Sequence, residues 1–319
     1  MRIFLAAAEG VPQHYLSADQ FRENPQTNWF SSFRYTRRAQ KFLEKVGRAD
    51  QREGLVTIDS GAHSFFAMAG TSVRSSAGGM KRKVEFDYER YVDRYIRWLQ
   101  AWEPYYDFFV EVDIQELIGY ARVLKWRDEI KSAGLWHKCI TCHHSGTGYG
   151  EGTANTYEDY VEMVKSSGSR YVAIEGKREG AYTLPYVKLV KCAYDNDCRV
   201  HVFAAVDMKV LQNVPVYSTD SRGWGSICSH GVTMRFDGAS GKMLFKGKAT
   251  PMDALEIGAP VSTRAASREF TEKTLYAMKQ YSMMQEYYSR YWAARGVDWD
   301  GVCRRIEERV DAEIHPDSG

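Results

Sequence analysis

The chain has 319 residues, of which 44% are hydrophobic and 26% charged, an ordinary composition for a folded globular protein. This composition excludes a disordered chain, a collagen-like repeat and a coiled coil, and no apolar run reaches the length of a membrane-spanning helix. The formal net charge is only +2, so any surface that binds nucleic acid must be a local basic patch.

Short runs rich in β-branched and aromatic residues alternate along the chain with longer amphipathic stretches. The runs predicted as strands are 2–7, 55–59, 108–113, 138–143, 171–176, 200–204 and 214–219, with a less regular eighth near 227–234. The main predicted helices are 88–102, 117–132, 157–165, 267–294 and 299–312.

Repeated strand–helix alternation favours a parallel sheet, and at this chain length the leading α/β fold is a (β/α)8 barrel of the TIM type. A doubly wound open sheet is the alternative, although no G-x-G-x-x-G follows the first strand. We predict a barrel domain over residues 1–262 and a helical C-terminal extension over 263–319 that packs on it. The aromatic helix in this extension leaves a homodimer open as an alternative to core packing.

Six cysteines are scattered along the chain, and no segment has the pattern of an export signal. We therefore expect reduced thiols and a cytoplasmic protein without a membrane partner. Cys139 and Cys142 form a C-x-x-C within a predicted strand, where they face opposite sides, so the pattern does not favour a redox pair.

Active sites of TIM-type barrels lie where the strands end, so polar residues at those positions are candidates. Asp59, Asp113 and Asp220 each fall at a predicted strand end, and Gly61 and Gly176 follow with room for close backbone approach. A single aspartate there can simply cap the next helix, but three favour a shared site. Two carboxylates facing one sugar suit retaining glycosyl transfer, with one as nucleophile and the other, its pKa raised, as acid and base.

Four short motifs follow one another in the order of a known family: DSGA at 59–62, IEG at 174–176, HVF at 201–203 and YSTD at 217–220. They resemble the motifs of the tRNA-guanine transglycosylase superfamily over about residues 1–245. The variants DSGAHS at 59–64 and STDSRGW at 218–224 are most similar to the phage and mobile-element branch, the DpdA-type enzymes. That branch inserts 7-deazaguanines into DNA instead of tRNA.

The resemblance implies a role for each matching residue. Asp220 would be the nucleophile, and Asp59 the general acid and base. The residues assigned to the base are Ser60, Gly61, Asp113, His143, His144, Glu175 and Gly176. A histidine stands where the family has a glutamine that binds the base carbonyl, and since adjacent strand residues point to opposite faces, at most one of the pair is expected in the site.

The resemblance also implies the partners: a nucleic acid, with DNA preferred over tRNA, and a free base such as 7-cyano-7-deazaguanine, in the host cytoplasm if a phage encodes the protein. The residues predicted to contact the nucleic-acid backbone are Arg37, Arg38, Lys81, Arg82, Lys83 and Arg222. A guanine within a duplex is out of reach of such a pocket, so the target must be flipped out or unpaired.

The family's C-x-C-x-x-C zinc cluster is absent from this sequence. Cys228 with His230 is the nearest spacing, and Cys303 and His315 lie far away, so neither a metal nor another cofactor is predicted.

Two other functions suit the same residues. A glycoside or nucleoside hydrolase would use water as the acceptor and release a base without an incoming one. A non-catalytic nucleic-acid-binding protein would keep its binding when Asp220 is replaced by alanine.

Overall fold

Eight parallel strands pair in chain order and close into one barrel. The computed structural model describes residues 1–10, 27–62, 64–65, 86–144, 156–175, 184–225, 233–246 and 266–314. The barrel strands are β1 Arg2–Ala6, β2 Asn28–Ser32, β3 Val56–Asp59, β4 Phe108–Val110, β5 Cys139–His143, β6 Tyr171–Ile174, β7 Arg199–Val202 and β8 Ser218–Ser221. The predicted TIM-type barrel is confirmed, and an open doubly wound sheet is excluded.

Helices surround the barrel. They are α1 Thr36–Val46, α2 Tyr88–Ala101, α3 Gln115–Ile118, α4 Tyr120–Ser132, α5 Tyr157–Ser166, α6 Leu184–Asp195, α7 Met208–Asn213, α8 Ala266–Ala293 and α9 Trp299–Ile314. A separate antiparallel pair consists of β9 Thr233–Asp237 and β10 Lys242–Lys246. Within the described ranges, no helix is both long enough and apolar enough to cross a membrane.

The sequence prediction misses one barrel strand, β2. Its residues are polar at both ends, and the buried Asn28 is satisfied: its amide accepts from the Leu55 N–H and donates to Gln285. The prediction of a barrel strand at 227–234 is wrong, because Thr233 begins β9 of the separate pair and residues 226–232 lie outside the described part.

The last barrel strand begins four residues later than predicted, at Ser218 instead of 214. Asp220 consequently lies inside β8, in register with Phe4 of β1, and not beyond the end of the strand. Its carboxylate contacts His201 of the neighbouring β7. One paired row of the barrel runs from Thr219 through Val202 and Ile174 to His143, so Asp220 lies one position beyond it, at the level of Glu175 and His144.

The core has an inner and an outer layer. Inside the barrel, the rings of Phe4 and Phe30 meet edge to face with centroids 6.1 Å apart. Outside it, Trp29 packs on Phe42 of α1 with centroids 5.5 Å apart. The buried Tyr95 of α2 donates its hydroxyl proton to the carbonyl of Val110, 2.9 Å away. Aromatic packing on both sides holds the short strands rigidly enough to position polar groups at their ends.

The C-terminal helices pack against the start of the barrel. The Gln285 side chain of α8 accepts hydrogen bonds from the N–H of Ile3 at 2.7 Å and from the amide of Asn28 at 2.9 Å. The indole of Trp299 in α9 donates to the carbonyl of Pro215 at 3.0 Å. The helices predicted at 267–294 and 299–312 are therefore present with nearly the same bounds.

Candidate active site

Parallel strands all end at one rim of the barrel, which we call the mouth. Asp59, the last residue of β3, lies there and is partly buried. The N–H of Gly61 and the hydroxyl of Ser32 donate to its carboxyl group. Burial raises the pKa of Asp59 to about 7, since the charges of Asp113 and Glu9 add to the cost of ionising it. Near neutral pH this carboxyl group can both donate and accept a proton.

A second cluster joins the ends of β4, β5 and β6. The imidazole Nε2 of His144 lies 3.3 Å from Asp113 Oδ2, and its Nδ1 lies 3.5 Å from Glu116 Oε1 and 3.9 Å from Glu175 Oε2. Burial alone lowers the pKa of a histidine, but Asp113 and the two glutamates outweigh burial and raise the pKa of His144 above its ordinary value. The cluster thus holds an imidazole that is protonated more readily than an ordinary histidine, among three acidic side chains.

The two adjacent histidines face different layers. His143 packs its ring against Tyr160 of α5, with centroids 5.1 Å apart, in the layer between strands and helices. Burial, together with the charge of His144, lowers the pKa of His143 to about 4, so it is neutral at ordinary pH. Of the pair assigned to the base, His144 lies at the mouth and His143 does not, because the strand alternates its side chains.

Asp220 is fixed by donors from two neighbouring positions. Its Oδ1 accepts from the N–H of Ala204 at 2.7 Å and lies 3.3 Å from His201 Nε2. The other ring nitrogen of His201 is 2.9 Å from the hydroxyl oxygen of Ser218, which in turn contacts the hydroxyl of Tyr171. With Asp220 ionised, His201 carries its proton on Nε2 and accepts at Nδ1 from Ser218.

Aromatic rings enclose His201 on three sides. Phe30 stacks on the imidazole with centroids 5.5 Å apart and an interplanar angle of 5°, while Phe4 and Phe203 meet it edge to face at 5.9 and 4.8 Å. This packing leaves the imidazole one orientation, so the hydrogen-bond chain to Asp220 has a fixed direction.

Glu9 and Arg222 connect the two halves of the mouth. Glu9 follows β1, is 3% exposed and accepts from the N–H of Ser32 at 3.1 Å. Burial raises the pKa of Glu9, and the positive charge of the exposed Arg222 acts in the opposite direction. Electrostatic effects or ion pairs connect each charged group around the mouth to the next. Their order is Arg222, Glu9, Asp59, Asp113, His144 and Glu175.

The backbone after β3 is held by close packing. Gly61 has a φ of +79°, and a Cβ added there would lie 3.0 Å from the Cβ of Arg34 and 3.1 Å from the hydroxyl of Tyr91. That hydroxyl donates to the carbonyl of Ser60 at 2.6 Å. The buried Ser60 hydroxyl has no hydrogen-bond partner among the described residues.

Several predicted residues lie elsewhere or outside the described part. Arg37 and Arg38 are exposed on the first turn of α1, which follows the carboxyl end of β2. Four predicted site residues lie outside the described ranges: Lys81, Arg82, Lys83 and Gly176. The residues considered for zinc, Cys228, His230 and His315, also lie outside them. Within those ranges, no group of three or more histidine, cysteine and acidic side chains is arranged to hold a metal ion.

Three residues at the mouth were not predicted from the sequence: Glu9, Ser32 and Glu116. Ser32 could not be found because β2 was not recognised as a strand. Glu9 offered a usable signal, since it is an acidic residue just after the first apolar strand, as Asp59 is at the end of β3. Glu116 sits three residues after Asp113 in the first turn of α3, where an acidic residue commonly serves only the helix end.

No family model and no curated protein matches this chain. Among solved structures, a single-site variant of pyruvate carboxylase from Rhizobium etli with the allosteric activator acetyl coenzyme A is 11% identical, with a TM-score of 0.40 over 89% of this chain and 25% of that chain. The carboxyl transferase domain of the same enzyme gives the same identity and TM-score and is covered to 48%. This chain thus spans less than half the length of either neighbour.

Proposed function

We propose that this protein is a base-exchange transglycosylase that replaces guanine in a nucleic acid with a 7-deazaguanine. One observation carries the proposal. A carboxyl group with a pKa of about 7, Asp59, ends β3, and a carboxylate held by an N–H and an imidazole, Asp220, lies near the end of β8 in the same closed barrel. Double displacement at a sugar carbon needs these two groups, a proton donor and a nucleophile with different environments.

In the first step, a carboxylate oxygen of Asp220 attacks C1′ of the guanine nucleotide. The bond from C1′ to the base nitrogen breaks, its electron pair stays on the base, and Asp59 delivers the proton that makes guanine a neutral leaving group. In the second step, Asp59 takes the ring N–H proton of the incoming base, whose nitrogen attacks C1′ and releases Asp220. Two inversions retain the β configuration.

The cluster at β4 and β5 suits the edge of a guanine-like base. The Asp113 carboxylate can accept from the ring N–H and the exocyclic amino group, and a ring N–H of His144 can donate to the carbonyl. The contact of 3.3 Å between these two side chains already orients both. A 7-deazaguanine such as 7-cyano-7-deazaguanine shares this edge with guanine, so one pocket can hold the leaving and the incoming base in turn.

We propose DNA as the acceptor, with tRNA as the competing acceptor, on the strength of the motif variants at 59–64 and 218–224. The exposed arginines Arg37, Arg38 and Arg222 are basic side chains at the ends of strands, where a phosphate backbone would pass.

Isotope incorporation tests the proposal directly. Purified protein is incubated with radiolabelled guanine and with either unpaired DNA, duplex DNA or tRNA, and label retained in the nucleic acid is counted. We expect incorporation into DNA and its competition by unlabelled 7-cyano-7-deazaguanine. Incorporation into tRNA alone would overturn the DNA acceptor, and base release without any incorporation would identify a hydrolase.

Active-site variants provide the matched controls. Asp220→Asn should fold normally, form no covalent protein–DNA adduct on a denaturing gel and incorporate no label. Asp50→Asn, an exposed aspartate far from the mouth, should behave as the unmodified protein does. Equal incorporation by all three proteins would refute Asp220 as the nucleophile.

A further inference from the structure

Five exposed arginines border the mouth on the side of Asp59. We call them the arginine rim: Arg34, Arg37, Arg38, Arg90 and Arg94. The first three follow the end of β2 and enter α1, and the last two lie in the first two turns of α2. Arg34 and Arg94 are both near enough to Tyr91 for their positive charges to lower the pKa of its hydroxyl, against the larger effect of burial.

The acidic side chains of α2 that lie nearest to Arg90 and Arg94 are engaged with other groups. On α2, Asp93 pairs with Arg97 at 2.9 Å, and Glu89 is held by Arg122 at 2.8 Å. Asp87 caps the start of the helix by accepting from a backbone N–H at 2.9 Å. Within the described part of the chain, no carboxylate forms an ion pair with the guanidinium groups of Arg37, Arg38, Arg90 and Arg94.

An aromatic ring stands among these arginines. Tyr35 is 49% exposed, whereas Phe33, two residues earlier, is buried against α2. The guanidinium carbon of Arg38 lies 5.9 Å from the centre of the Tyr35 ring, which orders the ring from one side. An exposed ring beside unpaired cations is the combination that binds single-stranded nucleic acid, because every base has a face that can stack.

The rim adjoins the catalytic groups through the backbone. A Cβ added at Gly61 would lie 3.0 Å from the Cβ of Arg34, and Gly61 donates its N–H to Asp59. A nucleotide whose sugar reached Asp59 and Asp220 would therefore have its neighbours over Tyr35 and the arginines. In a duplex those neighbouring bases are stacked and paired, so their faces are closed to a surface ring.

We propose that the arginine rim binds the phosphates of an unpaired strand while Tyr35 stacks on a base next to the one in the mouth. This inference rests on the proposed function, because it names the substrate of the same site as single-stranded. It assigns Tyr35, Arg90 and Arg94 to substrate binding, in addition to residues predicted from sequence.

Equilibrium binding tests the inference without turnover. In an Asp220→Asn background, a fluorescein-labelled 12-nucleotide DNA is titrated by anisotropy, alone and annealed to its complement. We expect the unpaired strand to bind at least tenfold more tightly than the duplex. Tyr35→Ala should weaken that binding about tenfold, and Tyr35→Trp should restore it, because a larger ring preserves stacking.

The salt dependence separates phosphate contacts from general destabilisation. Each neutralised phosphate contact on a single strand contributes about 0.7 to the slope of log K against log salt, so Arg37→Gln/Arg38→Gln should make the slope shallower by about 1.4. Lys131→Gln/Arg304→Gln removes the same charge from the last turn of α4 and from α9, away from the mouth, and should leave the slope unchanged.

Three results would overturn the inference: duplex binding as tight as single-strand binding, full affinity in Tyr35→Ala, or equal slopes in the two double variants. Because no free base is present and no bond is exchanged, these outcomes are independent of the catalytic proposal. A protein that passes this test and incorporates no guanine would keep the binding surface and lose the proposed reaction.

Discussion

The Nε2 atom of His201 lies 3.3 Å from Oδ1 of Asp220, and the opposite ring nitrogen is occupied by Ser218. The histidine is therefore committed to donating toward the carboxylate and cannot rotate away, since Phe30 stacks on its face. In the proposed reaction this contact aims the attacking oxygen. His201 would be a positioning residue that acts through Asp220.

Replacing His201 with phenylalanine should lower kcat about 100-fold, because a nucleophile displaced by an ångström loses most of its orientation advantage. His201→Gln keeps an N–H donor near the position of Nε2 and should recover part of the loss. Single-turnover incorporation of labelled guanine measures both variants, and affinity for DNA should stay unchanged. Full kcat in His201→Phe would show that Ala204 alone orients Asp220.

Asp59→Asn should stabilise the protein at high pH while abolishing exchange. Because burial raises the pKa of Asp59 to about 7, the folded state holds a proton that the unfolded state releases near pH 4, so stability falls as pH rises between these values. At pH 8, Asp59→Asn should gain about 2 kcal/mol, less than full linkage predicts since the mouth is open to water.

Urea unfolding at pH 5 and pH 8 checks this expectation, and the gain in Asp59→Asn should shrink strongly at the lower pH. Asp50→Asn serves as the control, because its carboxylate is exposed and should show no such dependence. Equal gains at both pH values would show that Asp59 is ionised in the folded protein like any surface aspartate.

Glu9→Gln should move the alkaline limb of kcat/KM to lower pH. Exchange begins with proton donation by Asp59, so kcat/KM falls as pH rises through its pKa of about 7. The negative charge of Glu9 helps to hold that pKa up, and glutamine removes the charge while it keeps an acceptor for the N–H of Ser32. Glu44→Gln on α1 should leave the profile in place, and an unshifted profile in Glu9→Gln would separate Glu9 from the acid.

Gly61→Ala should cost more stability than Gly119→Ala. Both glycines have positive φ, +79° and +84°, so in both variants the alanine is held in an unfavourable backbone conformation that lowers stability. Only at position 61 does the new Cβ meet neighbours, those of Arg34 and Tyr91, whereas nothing lies within 4 Å at position 119. Thermal unfolding should show that Gly61→Ala loses about 1–2 kcal/mol more of the free energy of unfolding than Gly119→Ala does. Equal losses would mean that Arg34 and Tyr91 move aside for the methyl group without cost.

The alternation of strand and helix was enough to predict the barrel, because buried parallel strands such as Tyr171–Ile174 are continuous apolar runs. It failed at Asn28–Ser32, where polar residues flank only two apolar ones, Trp29 and Phe30, and the buried Asn28 is satisfied by side-chain hydrogen bonds. A hydrophobic pattern cannot reveal a strand whose polar groups are hydrogen-bonded to residues distant in sequence, such as Gln285.

Part of the candidate site was also within reach of the sequence. The aspartates and histidines near strand ends were recognisable, because strand ends converge in any closed parallel barrel. The choice between His143 and His144 was not, since it depends on whether Tyr160 or Asp113 is the neighbour. Arg37 and Arg38 of the arginine rim were predicted, but Arg34 was not placed near Gly61, because β2 was not recognised as a strand.

The bond from Gln285 to Ile3 and Asn28 joins almost the last helix to the first two strands. During translation the N–H of Ile3 and the amide of Asn28 emerge from the ribosome some 260 to 280 residues before their acceptor does. These two donors of β1 and β2 therefore lack their acceptor until synthesis of the chain has reached α8. A nascent chain arrested before α8 would leave the starts of β1 and β2 uncovered and accessible to chaperones and proteases.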